Sequence, residues 1–130
     1  MQRVYGKTKL IDIQTLKRGF EAIDFVKTAL LFGSRVQGDW HCRSDYDFAV
    51  LLDECREFPF GVKAEAFNKI EEVFGLREYD FDLVDLAHAN EYIVASIRDD
   101  YVLLKGEESE VQRVFGKYEK KSEGGERDLR

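Results

Sequence analysis

Leu30-Leu31-Phe32-Gly33-Ser34 and, ten residues later, Asp45-Tyr46-Asp47-Phe48-Ala49-Val50 decide how this chain is read. One apolar strand ends in Gly-Ser, and a second begins on two aspartates one residue apart. In an extended chain alternate side chains face the same way, so Asp45 and Asp47 present their carboxylates to one point while Tyr46 packs on the other face. Gly33 permits close backbone approach to a phosphate, and Ser34 offers a hydroxyl and the start of a short helix, both suited to an anion. A phosphate cradle beside paired carboxylates points to metal-assisted phosphoryl chemistry on a nucleotide.

Working outward, Ile13, Leu16, Phe20 and Ile23 recur at helical spacing, with Asp12 or Thr15 as N-cap. Thr28–Phe32 reads as a buried strand, the turn from Ser34 as helical up to Gly38, and Tyr46–Leu52 as the second strand. After Pro59 and Gly61, the stripe Val62, Ala66, Phe67, Ile70, Val73, Phe74 makes a helix that Gly75 ends. Phe81–Leu86 is a third strand, Asn90 caps another helix, and Tyr101–Leu104 is a fourth strand. Val111, Val114 and Phe115 mark a last amphipathic turn or two. The order α-β-(short α)-β-α-β-α-β predicts an α+β domain, a small mixed sheet covered by helices, over residues 1–116. Residues 117–130 are charge, Ser and Gly, and their composition predicts a disordered tail.

Three carboxylates on neighbouring strands make a hard oxygen site that suits Mg²⁺ or Mn²⁺ over zinc. Two such ions can clamp the attacking and leaving oxygens of an in-line displacement. The third acid belongs to Phe81-Asp82-Leu83-Val84-Asp85-Leu86. Asp82 and Asp85 face opposite ways on a strand, and Asp80 shares the face of Asp82 but sits at the entrance. Asp82 is the choice: between Phe81 and Leu83, a mid-strand charge is costly unless a metal or partner compensates it. Arg35 is read as adding charge on the phosphate side or pairing with a surface acid, and Ser44 as orienting the carboxylates or the phosphate.

Rival motifs fail on order. Gly33 and Gly38 have Walker spacing but Asp39-Trp40 follows where Lys-Ser/Thr is needed. A haloacid-dehalogenase-like site places its aspartates after a strand, not before one. An EF-hand counted from Asp45 meets Arg56 where its glutamate belongs.

Gly33-Ser34 with Asp45-x-Asp47, within GSRVQGDWHCRSDYDFAVLLD, resembles the signature of the DNA polymerase β-like nucleotidyltransferase superfamily. It is most similar to the minimal nucleotidyltransferase (MNT) branch of prokaryotes. The similarity runs from about Leu16 to Gly106 and includes FDLVDL and DDYVLLKG. Val36 and Gln37 depart from the small and basic residues common before the second glycine. The resemblance implies transfer of a nucleoside monophosphate, AMP from ATP, to a hydroxyl. Asp45, Asp47 and Asp82 would hold two Mg²⁺ ions, and Gly33, Ser34, Arg35 and Ser44 would hold the nucleotide. It also implies an antitoxin whose acceptor is a tyrosine of a HEPN-type ribonuclease toxin. The competing reading is an antitoxin that neutralises its partner by contact, with a secondary or vestigial site. The sequence leaves a homo-oligomer open.

Composition narrows the setting. Twenty basic against 26 acidic residues give a net charge of −6, which weighs against a dedicated nucleic-acid surface. No stretch reads as a signal peptide or membrane span, and two cysteines, Cys42 and Cys55, without metal-binding spacing fit reduced thiols in a cytoplasm. Trp40, His41 and His88 are read as loop residues, Trp40 with the option of stacking on a base.

Overall fold

The computed structural model describes residues 9–38 and 45–128. Helix α1 (Ile13–Glu21) opens on Asp12, whose side chain accepts the Thr15 N–H at 2.7 Å, which decides between the two caps, Asp12 and Thr15, that the sequence offers. Strand β1 (Val26–Phe32) starts two residues before the apolar run suggested and leads into the single turn α2 (Ser34–Gln37), which Gly38 closes in the left-handed region. Then follow β2 (Tyr46–Leu52), α3 (Val62–Phe74), β3 (Phe81–Asp85), α4 (Glu91–Asp99), β4 (Tyr101–Lys105) and α5 (Glu108–Asp128). Asn90 caps α4 by accepting the Ile93 N–H at 2.9 Å.

The four strands form one mixed sheet in the order β3-β2-β1-β4. β1 pairs antiparallel with both β2 and β4, whereas β2 and β3 run parallel, as the long α3 connection between them allows. Both faces are covered, and strand alternation divides the core in two. Ala29, Leu31, Tyr46, Phe48, Val50 and Phe81 pack against Leu16 and Phe20 of α1 and Ala66, Ile70 and Phe74 of α3. Leu30, Ala49, Val84 and Leu103 face the other way, onto Val94 and Ile97 of α4 and Val111 and Phe115 of α5.

The first layer is aromatic: Phe20 packs on both Phe48 and Phe74 with ring centroids 5.2 Å apart. Gly19 lets α1 come this close to α3, because a Cβ there would stand 2.1 Å from the Phe74 ring. Gly19→Ala should therefore cost about 1–3 kcal/mol despite alanine's better helix propensity, read as a lowered midpoint of denaturant unfolding.

The last helix differs from expectation. Where composition suggests a tail from Lys117, α5 continues to Asp128. Two things act together: Lys and Glu are good helix formers, and Tyr118 anchors the turn to a distant segment. Its hydroxyl lies 2.8 Å from the carbonyl oxygens of both Leu86 and Ala89, to which it can donate.

Candidate active site

The carboxylates gather at one end of the sheet, on the face that α4 and α5 cover. Asp45 is exposed and immediately precedes β2; Asp47 is half-buried as the second residue of that strand. In the parallel pairing of β2 with β3, Asp47 stands directly opposite Asp82. The two neighbouring acids have local uses. Asp80 is buried and accepts the Arg77 N–H at 2.9 Å, closing the turn before β3. Asp85 accepts the Ala87 N–H at 3.1 Å, closing the turn after it. Asp82, exposed and in register with Asp47, is the one that parity on β3 selected.

Gly33 joins the turn at the end of β1 to the carboxylates. Phe32 pairs with Asp47 across β1 and β2, so the next residue turns directly over the Asp47 side chain. Gly33 has φ +81°, and a Cβ on it would lie 2.1 Å from Asp47 Oδ2. Conformation and space both demand glycine here. Ser34 opens α2, so its N–H has no acceptor within the helix and its hydroxyl stands at the same turn.

Burial, then the charges of Asp82 and Asp45, push the Asp47 carboxyl up to about 6. Burial is the larger cause, and the two like charges add to it. Among the described residues no three acidic, imidazole or thiol groups are drawn together tightly enough to hold a metal. The all-oxygen donor set of Asp45, Asp47 and Asp82 is of the type that fits a hard divalent ion.

A pH dependence follows. The folded chain holds a proton on Asp47 up to about pH 6, whereas the unfolded chain releases it near ~3.9. Stability from this group is full below the lower value and is lost as pH rises through the upper one. The Tm difference between wild type and Asp47→Asn should accordingly widen in favour of the variant from about pH 4 to pH 6. With screening at a half-buried site, the gap at pH 7 should reach about 1 kcal/mol, roughly 4 °C, and saturating Mg²⁺ should close it.

The Arg35 side chain reaches over Tyr46, on the face of β2 opposite Asp47. Its guanidinium carbon stands 4.3 Å from the centroid of the Tyr46 ring, and Tyr46 belongs to the layer under α1 and α3. Sequence reasoning missed this contact; its available signal was the alternation that turns Tyr46 away from Asp45 and Asp47. Ser44, with Trp40, His41 and Cys42, lies outside the described residues. His88 is exposed and pairs with Glu54 at 2.9 Å, which holds its pKa above the usual value.

Fold and site together define a nucleotidyltransferase domain. The chain belongs to the polymerase β nucleotidyltransferase family, whose pattern matches residues 14–110. It is similar to the protein adenylyltransferase MntA of Aphanizomenon flos-aquae (strain 2012/KM1/D3), with 32% identity over 88 residues, covering 62% of this chain and 58% of that protein. The chain thus spans somewhat over half the length of that curated relative. Among solved structures, a toxin–antitoxin crystal structure with AMP-PNP superposes with TM-score 0.69 at 22% identity, covering 91% of this chain and 92% of the other. The MNT antitoxin complex with a tri-AMPylated Shewanella oneidensis HEPN toxin also matches, with TM-score 0.57 at 20% identity over 88% and 91% of the two chains. These likenesses show the shared fold. Among the described residues no helix is long and apolar enough to cross a membrane.

Proposed function

We propose that this chain transfers AMP from ATP to a hydroxyl acceptor, a tyrosine of a HEPN-type ribonuclease toxin, and thereby acts as an antitoxin in the cytoplasm. The observation that carries the reading is the juxtaposition of Asp47 with Asp82 on parallel strands, with Gly33 packed over Asp47. The name of the similar adenylyltransferase and the HEPN complex among the structural neighbours support the choice of nucleotide and acceptor.

Asp45, Asp47 and Asp82 would hold Mg²⁺, two ions in the fullest form of the site. When bound, Mg²⁺ neutralises charge that builds on the phosphoryl oxygens and lowers the pKa of the acceptor hydroxyl. The Gly33 turn and the Ser34 N–H and hydroxyl bind the triphosphate and fix its α-phosphorus in line with the acceptor. The acceptor oxygen forms its bond to that phosphorus as the bond to pyrophosphate breaks. The hydroxyl proton passes toward Asp82, the most exposed acid of the β2–β3 pair, and pyrophosphate leaves.

The contact-only antitoxin reading separates cleanly from this one. In the Asp45→Asn/Asp47→Asn/Asp82→Asn triple variant, binding to the HEPN partner should persist while silencing of its ribonuclease activity is lost. A triple variant that still silences the partner would favour neutralisation by contact.

A further inference from the structure

Tyr46 opens β2 between Asp45, which precedes the strand, and Asp47, its second residue. Alternation sends its ring to the opposite face, where it is 1% exposed and lies nearly parallel to Phe48, with centroids 5.8 Å apart at 5°. Its hydroxyl accepts the Ile11 N–H at 2.8 Å and donates to the Lys9 carbonyl at 2.7 Å. Its own N–H donates to the Asp80 carbonyl at 3.0 Å, which ties the head of β2 to the turn before β3. Tyr46 is therefore fixed from several directions.

Arg35 lies against this fixed ring. It is the second residue of α2, directly after Ser34, and α2 is only one turn held by the bonds Val36 N–H to Gly33 and Gly38 N–H to Ser34. So short a helix has little stability of its own and takes its place from tertiary contacts. Two of those lie on the α1/α3 face: the Arg35 guanidinium on Tyr46 and Val36 against the core. On the α4/α5 face, Gly33 rests on Asp47. The phosphate turn thus grips β2 from both sides, at adjacent residues of one strand.

From this geometry we propose that Arg35 is a positioning residue that acts through Tyr46, holding the Gly33–Ser34 turn in register with Asp47 instead of binding the triphosphate itself. A cation over an aromatic face supplies the attraction for this task; lysine keeps the charge but loses the planar stacking, so it should retain part of the effect while methionine retains none. The inference goes beyond the proposed function, and its first test needs no nucleotide.

In the ligand-free full-length chain, amide hydrogen exchange at Gly38 reports whether α2 holds. Arg35→Met should speed that exchange roughly tenfold, with Arg35→Lys staying within about threefold of wild type. Unchanged exchange in Arg35→Met would overturn the proposal. The second test is calorimetric affinity for Mg²⁺-ATP across Arg35→Met, Tyr46→Leu and the double variant. Each single change should weaken binding about tenfold, and the double variant should be no weaker than the worse single. Independent, multiplying losses would overturn the proposal in favour of a direct phosphate contact. Should Tyr46→Leu fail to fold, the exchange experiment on the Arg35 variants decides alone. A wild-type chain that binds no Mg²⁺-ATP would refute the proposed function and leave the exchange result to stand by itself.

Discussion

Asp47→Asn is expected to reduce AMP transfer by about a thousandfold or more, with the fold intact. The size follows from what the carboxylate does. Asp47 is the central acid of the site, flanked by Asp45 just before its strand and by Asp82 opposite it on β3. Its amide replacement keeps the shape and the neighbour contacts but removes the charge that would neutralise a bound cation. The same substitution removes the burial cost and like-charge repulsion that hold the Asp47 carboxyl up to about 6, so lost activity should accompany a raised melting temperature. Inactivation by misfolding would couple activity loss to a lowered Tm. Initial rates of labelled AMP incorporation, measured beside thermal unfolding of the same preparations, check both signs.

Gly33→Ala should have an effect of similar size on transfer and a much worse one on stability. Alanine at φ +81° is strained, and its methyl group would stand 2.1 Å from Asp47 Oδ2, far inside contact distance. Either the turn swings away from β2 or the Asp47 side chain leaves the position facing Asp82. Both outcomes separate the phosphate turn from the carboxylates. Left-handed backbone and steric displacement together should destabilise the domain by about 2–4 kcal/mol. Denaturant unfolding gives this number, and the affinity for Mg²⁺-ATP should fall with it. Ser34→Ala leaves the backbone alone, so it should weaken nucleotide binding without moving the unfolding midpoint.

Much of this site was legible in the sequence because strands obey a simple alternation. Asp45 and Asp47 on one face, Tyr46 on the other, and Asp82 chosen over Asp85 by parity all follow from a period of two. Alternation gives the face; that Asp47 stands opposite Asp82 is set by the β2–β3 register, which the sequence alone does not give. The helix caps Asp12, Asn90 and Gly75 were equally readable, since each rests on a local hydrogen bond or a left-handed residue.

What escaped was set by tertiary contact. Alternation says where Tyr46 points, but nothing local says that the long Arg35 side chain follows it across the strand edge. The extent of α5 was hidden for a related reason. Lys117 onward has the composition of a solvated tail, and the anchor that holds its first turn, Tyr118 on the Leu86 and Ala89 carbonyls, joins segments about thirty residues apart. Likewise, the close packing of α1 on α3 at Gly19 depends on Phe74, far along the chain.

The proposed function requires the Asp45, Asp47 and Asp82 carboxylates to support transfer of AMP onto a HEPN-type partner. The most direct measurement is the intact mass of that partner after incubation with this chain, ATP and Mg²⁺, with a parallel reaction in excess EDTA. Addition of one or more AMP groups on a tyrosine, abolished by EDTA and by Asp82→Asn, is the predicted result. A partner whose ribonuclease activity is silenced while its mass stays unchanged would contradict it.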